Sequence, residues 1–83
     1  MEKIYILTHS IYFRKELDCT DIEKVYGSKE LAEQDFNRMM EKMKQKEGVI
    51  VTKHEGVNAF KVTNLRSVRT DVFVVEKYNV INA

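Results

Sequence analysis

The sequence predicts an α+β fold: a small antiparallel β-sheet of four to five strands with one amphipathic helix packed on one face, in ββαββ order. Three observations lead there. One stretch only, residues 27–48, carries apolar residues at helical spacing between recognisable caps. Both ends of the chain, 3–13 and 71–81, are long period-two runs. A length of 83 residues leaves room for a single domain, 1–83, around a single core.

The first strand is KIYILTHSIYF, 3–13. Tyr5, Leu7, Ile11 and Phe13 fall on one face with His9, and Ile4, Ile6, Thr8, Ser10 and Tyr12 on the other. Apolar side chains on both faces suit a central strand. Residues 14–21, RKELDCTD, are polar and read as an exposed loop, followed by a short strand at 22–26. Ser28 is suited to accept a bond from an orphan backbone N–H at a helix start. Acidic Glu30, Glu33 and Asp35 lie toward the positive end of that helix and Lys42, Lys44 and Lys46 toward the negative end. Ala32, Phe36, Met39 and Met43 form its apolar stripe with Met40 at the border, and Gly48 ends it, giving a helix over 29–47. The Met-rich face reads as adaptable core.

Strands follow at 49–54 and 58–63, separated by the Glu55-Gly56 turn, with a loop over 64–70. In the last strand, 71–81, Val72, Val74, Tyr78 and Val80 share a face with Glu76, and Phe73, Val75 and Ile81 share the other with Lys77 and Asn79. One helix covers one face of a sheet, yet both long strands are apolar on both faces. The second face is therefore the place to expect an interface.

Several function classes find no support in the residues. A net charge of +1 gives no overall field toward nucleic acid or an anionic membrane. No run approaches the roughly 18 apolar residues of a membrane span. The apolar N-terminal run is interrupted by Thr8, His9 and Ser10 and preceded by Glu2, which does not fit a signal peptide. A lone cysteine, Cys19, suits a reducing compartment, so the cytoplasm is the expected location. Three glycines, at 27, 48 and 56, cannot build a phosphate-binding glycine loop.

His9, His54 and Cys19 carry no metal-ligand spacing, so no metal and no cofactor is expected. A Cys19–His9 nucleophile pair lacks a positioned third group. Asp18, Asp21 and Glu23 read as a solvated acidic loop or a docking surface for a basic partner. Residues 1–41 carry six basic and nine acidic side chains, whereas 42–83 carry eight basic and four acidic. Lys61, Arg66 and Arg69 cluster around the penultimate loop and are candidates for anion or nucleic-acid binding. Tyr12 and Tyr78, on the two long strands, are candidate partner contacts.

Three stretches, YILTH at 5–9, VYGSKELAE at 25–33 and FVVEKYNVI at 73–81, carry a resemblance. The chain resembles small uncharacterised proteins of bacteria and their phages. Those have a Y-x-L-x-H first strand, a V-Y-S-S-K-E-E-A-E strand-to-helix junction and a closing F-x-I-x-x-Y-x-L strand. The match covers about a third of the residues, spread over the chain. Gly27 stands where that pattern has a serine, and the segment between helix and last strand is longer. The resemblance implies a strand–strand–helix–strand–strand order and a mobile-element origin, and brings no activity with it.

The expectation is a non-enzymatic, cytoplasmic binding protein acting by protein–protein recognition. A phage or mobile-element accessory protein that inhibits a host defence factor fits its size. A homodimer is an expected state, because small cores gain stability by associating. Nucleic-acid or anionic-ligand binding through Lys61, Arg66 and Arg69 is the alternative, and no membrane partner is expected.

Overall fold

The computed structural model describes residues 2–81. Its elements are β1 (Lys3–Phe13), β2 (Glu16–Tyr26), α1 (Lys29–Lys44), β3 (Val49–Lys53), β4 (Ala59–Asn64) and β5 (Arg69–Asn79). They form one antiparallel five-stranded sheet in the order β2-β1-β5-β4-β3, with α1 packed on one face. Three strands follow the helix. The last of them, β5, takes the middle of the sheet and pairs with β1 along its whole length, from Lys3↔Asn79 to Phe13↔Arg69.

The largest departure from the sequence reading is at 14–21, where the expected loop is a two-residue turn and most of an 11-residue strand. Arg14 and Lys15 both have positive φ, 52° and 71°. That is the backbone of the tight turn whose twist matches antiparallel strands, normally built with Asn-Gly or Asp-Gly. Pairing is made by backbone groups, so a polar run such as ELDCTD forms an edge strand once the turn sets its register. Two register shifts interrupt β2, opposite Leu7/Thr8 and Ile11/Tyr12.

The helix starts as expected. The Ser28 hydroxyl accepts from the Leu31 N–H at 3.4 Å, and Ser28 itself is extended. It ends at Lys44, capped by Gln45, and Gly48 takes a left-handed φ of 76° in the turn into β3. Its most buried residues are Ala32, Phe36 and Met40, while Met39 and Met43 are partly buried beside them. Met40, expected at the border of the stripe, is thus at its centre. The most buried positions are therefore four apart, at 32, 36 and 40, in place of the expected alternation of four and three.

The core lies between α1 and the sheet. Leu7, Tyr26, Phe36, Phe60, Val62, Phe73 and Val75 form it. Phe36 meets Phe60 edge-on at 5.2 Å, Phe60 stacks on Phe73 at 4.8 Å, and Phe73 stacks on His9 at 4.2 Å. This ring column runs across β4, β5 and β1 and stiffens the middle of the sheet. Asp35 fastens the helix to β2. It accepts from the Tyr26 hydroxyl at 2.8 Å and Lys24 Nζ at 3.1 Å, and pairs with Arg38. Those donors hold the Asp35 carboxyl below its usual range. Burial, followed by the bond to Asp35, pushes the Tyr26 phenol up to about 12.

Candidate interaction surface

Alternation along the strands sends every second side chain away from the helix. Register then sorts them into rows across the sheet. One row is Leu17, Tyr12, Thr70, Thr63 and Ile50; the next is Thr20, Ser10, Val72, Lys61 and Thr52. The third is Ile22, Thr8, Val74 and Ala59, followed by Val25, Ile6 and Glu76, and finally Ile4 with Tyr78. No described element crosses these rows. Leu17, Ile22, Val25 and Ile50 are each more than half exposed. Three of these lie on the β2 edge and Ile50 on the β3 edge, and between them the rows interleave aliphatic side chains with hydroxyls. A whole sheet face of this kind left uncovered is an interaction signal where isolated apolar side chains are not.

The hydroxyls on this face are partly satisfied within it. Ser10 and Thr20 share a hydrogen bond of 2.9 Å, and Thr8 Oγ1 donates to the Val74 carbonyl at 3.5 Å. Lys61 and Glu76 are the only charged side chains in the rows. Glu76 accepts from the Tyr78 hydroxyl at 3.0 Å, and this bond raises the Tyr78 phenol above its usual range. Lys61 has no ion-pair partner among the described residues.

The helix-side face is different beyond the end of the core. His9 lies between two carboxylates, with Nδ1 3.1 Å from Glu23 Oε1 and Nε2 2.6 Å from Asp71 Oδ2. Asp71 also accepts a fork from Arg69, Nε to Oδ1 at 2.8 Å and Nη2 to Oδ2 at 2.9 Å. Burial pushes the Asp71 carboxyl up, but the bonds from Arg69 and His9 outweigh it and hold the group below its ordinary range. The two carboxylates approach opposite ring nitrogens, so the three side chains tie β2, β1 and β5 together and do not converge on one point. Among the described residues no group of three or more His, Cys, Asp or Glu is placed to hold a metal ion.

The sequence-derived candidates divide between these surfaces. Tyr12, Tyr78 and Lys61 lie on the open face. Arg69 lies on the helix side, bound to Asp71, and Arg66 sits in the β4–β5 turn, with its side chain beside Gly48. Lys61, Arg66 and Arg69 are therefore not brought together on one surface. Asp18, Asp21 and Glu23 belong to the β2 edge strand instead of a loop. Cys19 is on the same strand opposite Ile11, and burial together with Asp21 and Asp18 pushes its thiol up, away from the thiolate a nucleophile requires. His54 follows β3, and its backbone N–H donates to the Ala59 carbonyl at 3.0 Å.

The His9–Asp71–Arg69 cluster was missed in the sequence. Its signal was there in part: Arg69 and Asp71 are two apart on one strand and so share a face. Their nearness to His9 depends on pairing between residues about 62 apart.

The fold and this surface define a class, a one-helix antiparallel α+β domain with one sheet face left open. No family model, curated protein or solved structure matches the chain. No helix among the described residues is long and apolar enough to cross a membrane.

Proposed function

We propose that this chain is a non-catalytic binding protein that acts in the cytoplasm by protein–protein recognition through the open face of its sheet. The observation that carries the reading is the set of five side-chain rows, apolar and hydroxyl-bearing with one cation and one anion, that no described element covers. A mobile-element accessory protein that binds and inhibits a host factor, such as a defence component, is the role suggested by size and by the resemblance. The alternative of nucleic-acid or anionic-ligand binding gains less support. Lys61 and Arg69 point to opposite faces, and Arg69 already has a carboxylate partner.

The test is capture on immobilised chain from bacterial lysate, with and without nuclease, read by mass spectrometry. The expected result is a stoichiometric protein that survives nuclease and is lost when Val72→Glu is the bait. Recovery of nucleic acid alone, lost on reversing the charges of Lys61, Arg66 and Arg69, would sink the reading.

A further inference from the structure

We propose that the occupant of the open face is a second copy of this chain, packed face to face about a two-fold axis that runs across the strands above the Thr8–Val74–Ala59 row. The inference rests on the reading of that face as a protein interface and names what covers it.

Charge placement selects the partner and the register. Lys61 lies one row to one side of the Thr8–Val74–Ala59 row, and Glu76 lies one row to the other side. Within one copy the two are about 14 Å apart along the strands, given a rise near 3.4 Å per residue, and do not meet. A two-fold axis above the middle row reverses the strand direction and brings each Lys61 level with the partner's Glu76. The lateral offset is then one strand spacing, about 4.8 Å, across a gap of about 10 Å between packed sheets. Long side chains span that distance. The pairing occurs twice by symmetry, and the only charged groups of the rows neutralise each other. β5 is the middle strand, so Val74 faces the partner's Val74 at the centre of the contact.

Area points the same way. At 4.8 Å between strands and about 6.8 Å between rows, the face has a flat footprint of roughly 600 Å² per copy, close to the roughly 800 Å² of accessible surface that each side of a stable interface buries. The Ser10–Thr20 pair is already hydrogen-bonded, so burying it strands neither hydroxyl. The edges suit a continuous-sheet dimer less well. β2 is broken by two register shifts and lined with acids, and β3 has five residues.

Sedimentation equilibrium of the full chain over about 1–200 µM, a range spanning ordinary dimer affinities, tests this. The expected species has twice the 9.8 kDa chain mass. Val74→Lys places like charges at the axis and is expected to weaken association at least about 100-fold. Because Val74 is half-buried, folding of that variant is checked by circular dichroism, and Lys61→Glu gives an independent probe. Lys61→Glu is expected to weaken the dimer about tenfold, and adding Glu76→Lys to the same chain to restore it. A wild-type monomer at the highest concentration overturns the proposal, and a double variant no tighter than Lys61→Glu overturns the register. If the chain is a monomer whose captured lysate protein is lost with Val72→Glu, the second copy falls and the interface reading stands. If the chain is a monomer and captures no protein, both fall.

Discussion

The two faces of this sheet are made by the same strands and differ in everything else. Beneath the helix Phe60 is 0% exposed and Leu7 1%; across the backbone Ile22 is 66% exposed and Leu17 57%. The covered face is a column of rings and ends in a fully bonded polar cluster. The open face is a quilt of branched aliphatic residues and hydroxyls with two charges. An alternating strand commits its residues to faces in pairs, but it leaves the covering of each face to other parts of the molecule. The covered face therefore carries the stability of a single copy, and the open face is free to be selected for contact.

The sharpest way to break this comparison is to truncate both faces. Phe60→Ala removes a ring that touches Phe36 and Phe73 and is expected to cost about 3–5 kcal/mol in chemical denaturation. Ile22→Ala on the open face is expected to cost less than about 1 kcal/mol at dilute, monomeric concentration. Equal costs would mean that the faces do not differ as described.

The polar cluster sharpens the boundary between covered and bare sheet. Asp71→Asn weakens the Arg69 fork and the bond to His9, with an expected loss of about 1.5–3 kcal/mol, the range for hydrogen bonds to charged groups. The pH dependence has a fixed sign. The carboxyl of Asp71 is more acidic folded than unfolded, so its contribution is present above the ordinary carboxylate value and is lost as pH falls through the lower folded value. Denaturation midpoints of the wild type should fall below about pH 4, and those of Asp71→Asn should fall less steeply. Parallel curves would remove Asp71 from the account.

The smallest effect belongs to the turn, which depends on neither face. Lys15 holds a φ of 71°, which glycine adopts without a Cβ penalty. Lys15→Gly is expected to stabilise the chain by about 0.5 kcal/mol once the added freedom of the unfolded state is subtracted. The gain should be the same in wild type and in Ile22→Ala. A loss of stability would show that the strand pairing holds the turn and not the reverse.

Much of this was legible locally. The helix with its Ser28 cap, the membership of each face in β1 and β5, and the central place of β1 follow from spacing and from side-chain type. The candidate surface was half legible: apolar residues on both faces of two long strands pointed to a second face that one helix would leave uncovered. The hairpin was hidden because Arg14-Lys15 carries none of the usual turn residues and β2 opens on the polar run ELDCTD. The scattering of Lys61, Arg66 and Arg69 was hidden for another reason. Closeness in sequence around a turn says nothing about whether side chains three, five or eight residues apart exit on the same face once the chain has passed to the next strand.

The chain by itself determined which residues share a face, because the period of two is a property of every extended backbone. It also determined where the helix begins, because capping is a bond between residues three apart. Only the tertiary structure decided which of the two apolar faces the helix would seal, that β5 would close the middle of the sheet against β1, and that His9 would meet Asp71. Each of these depends on the path of connections between distant segments, and no local spacing encodes a contact that the chain makes by returning to itself.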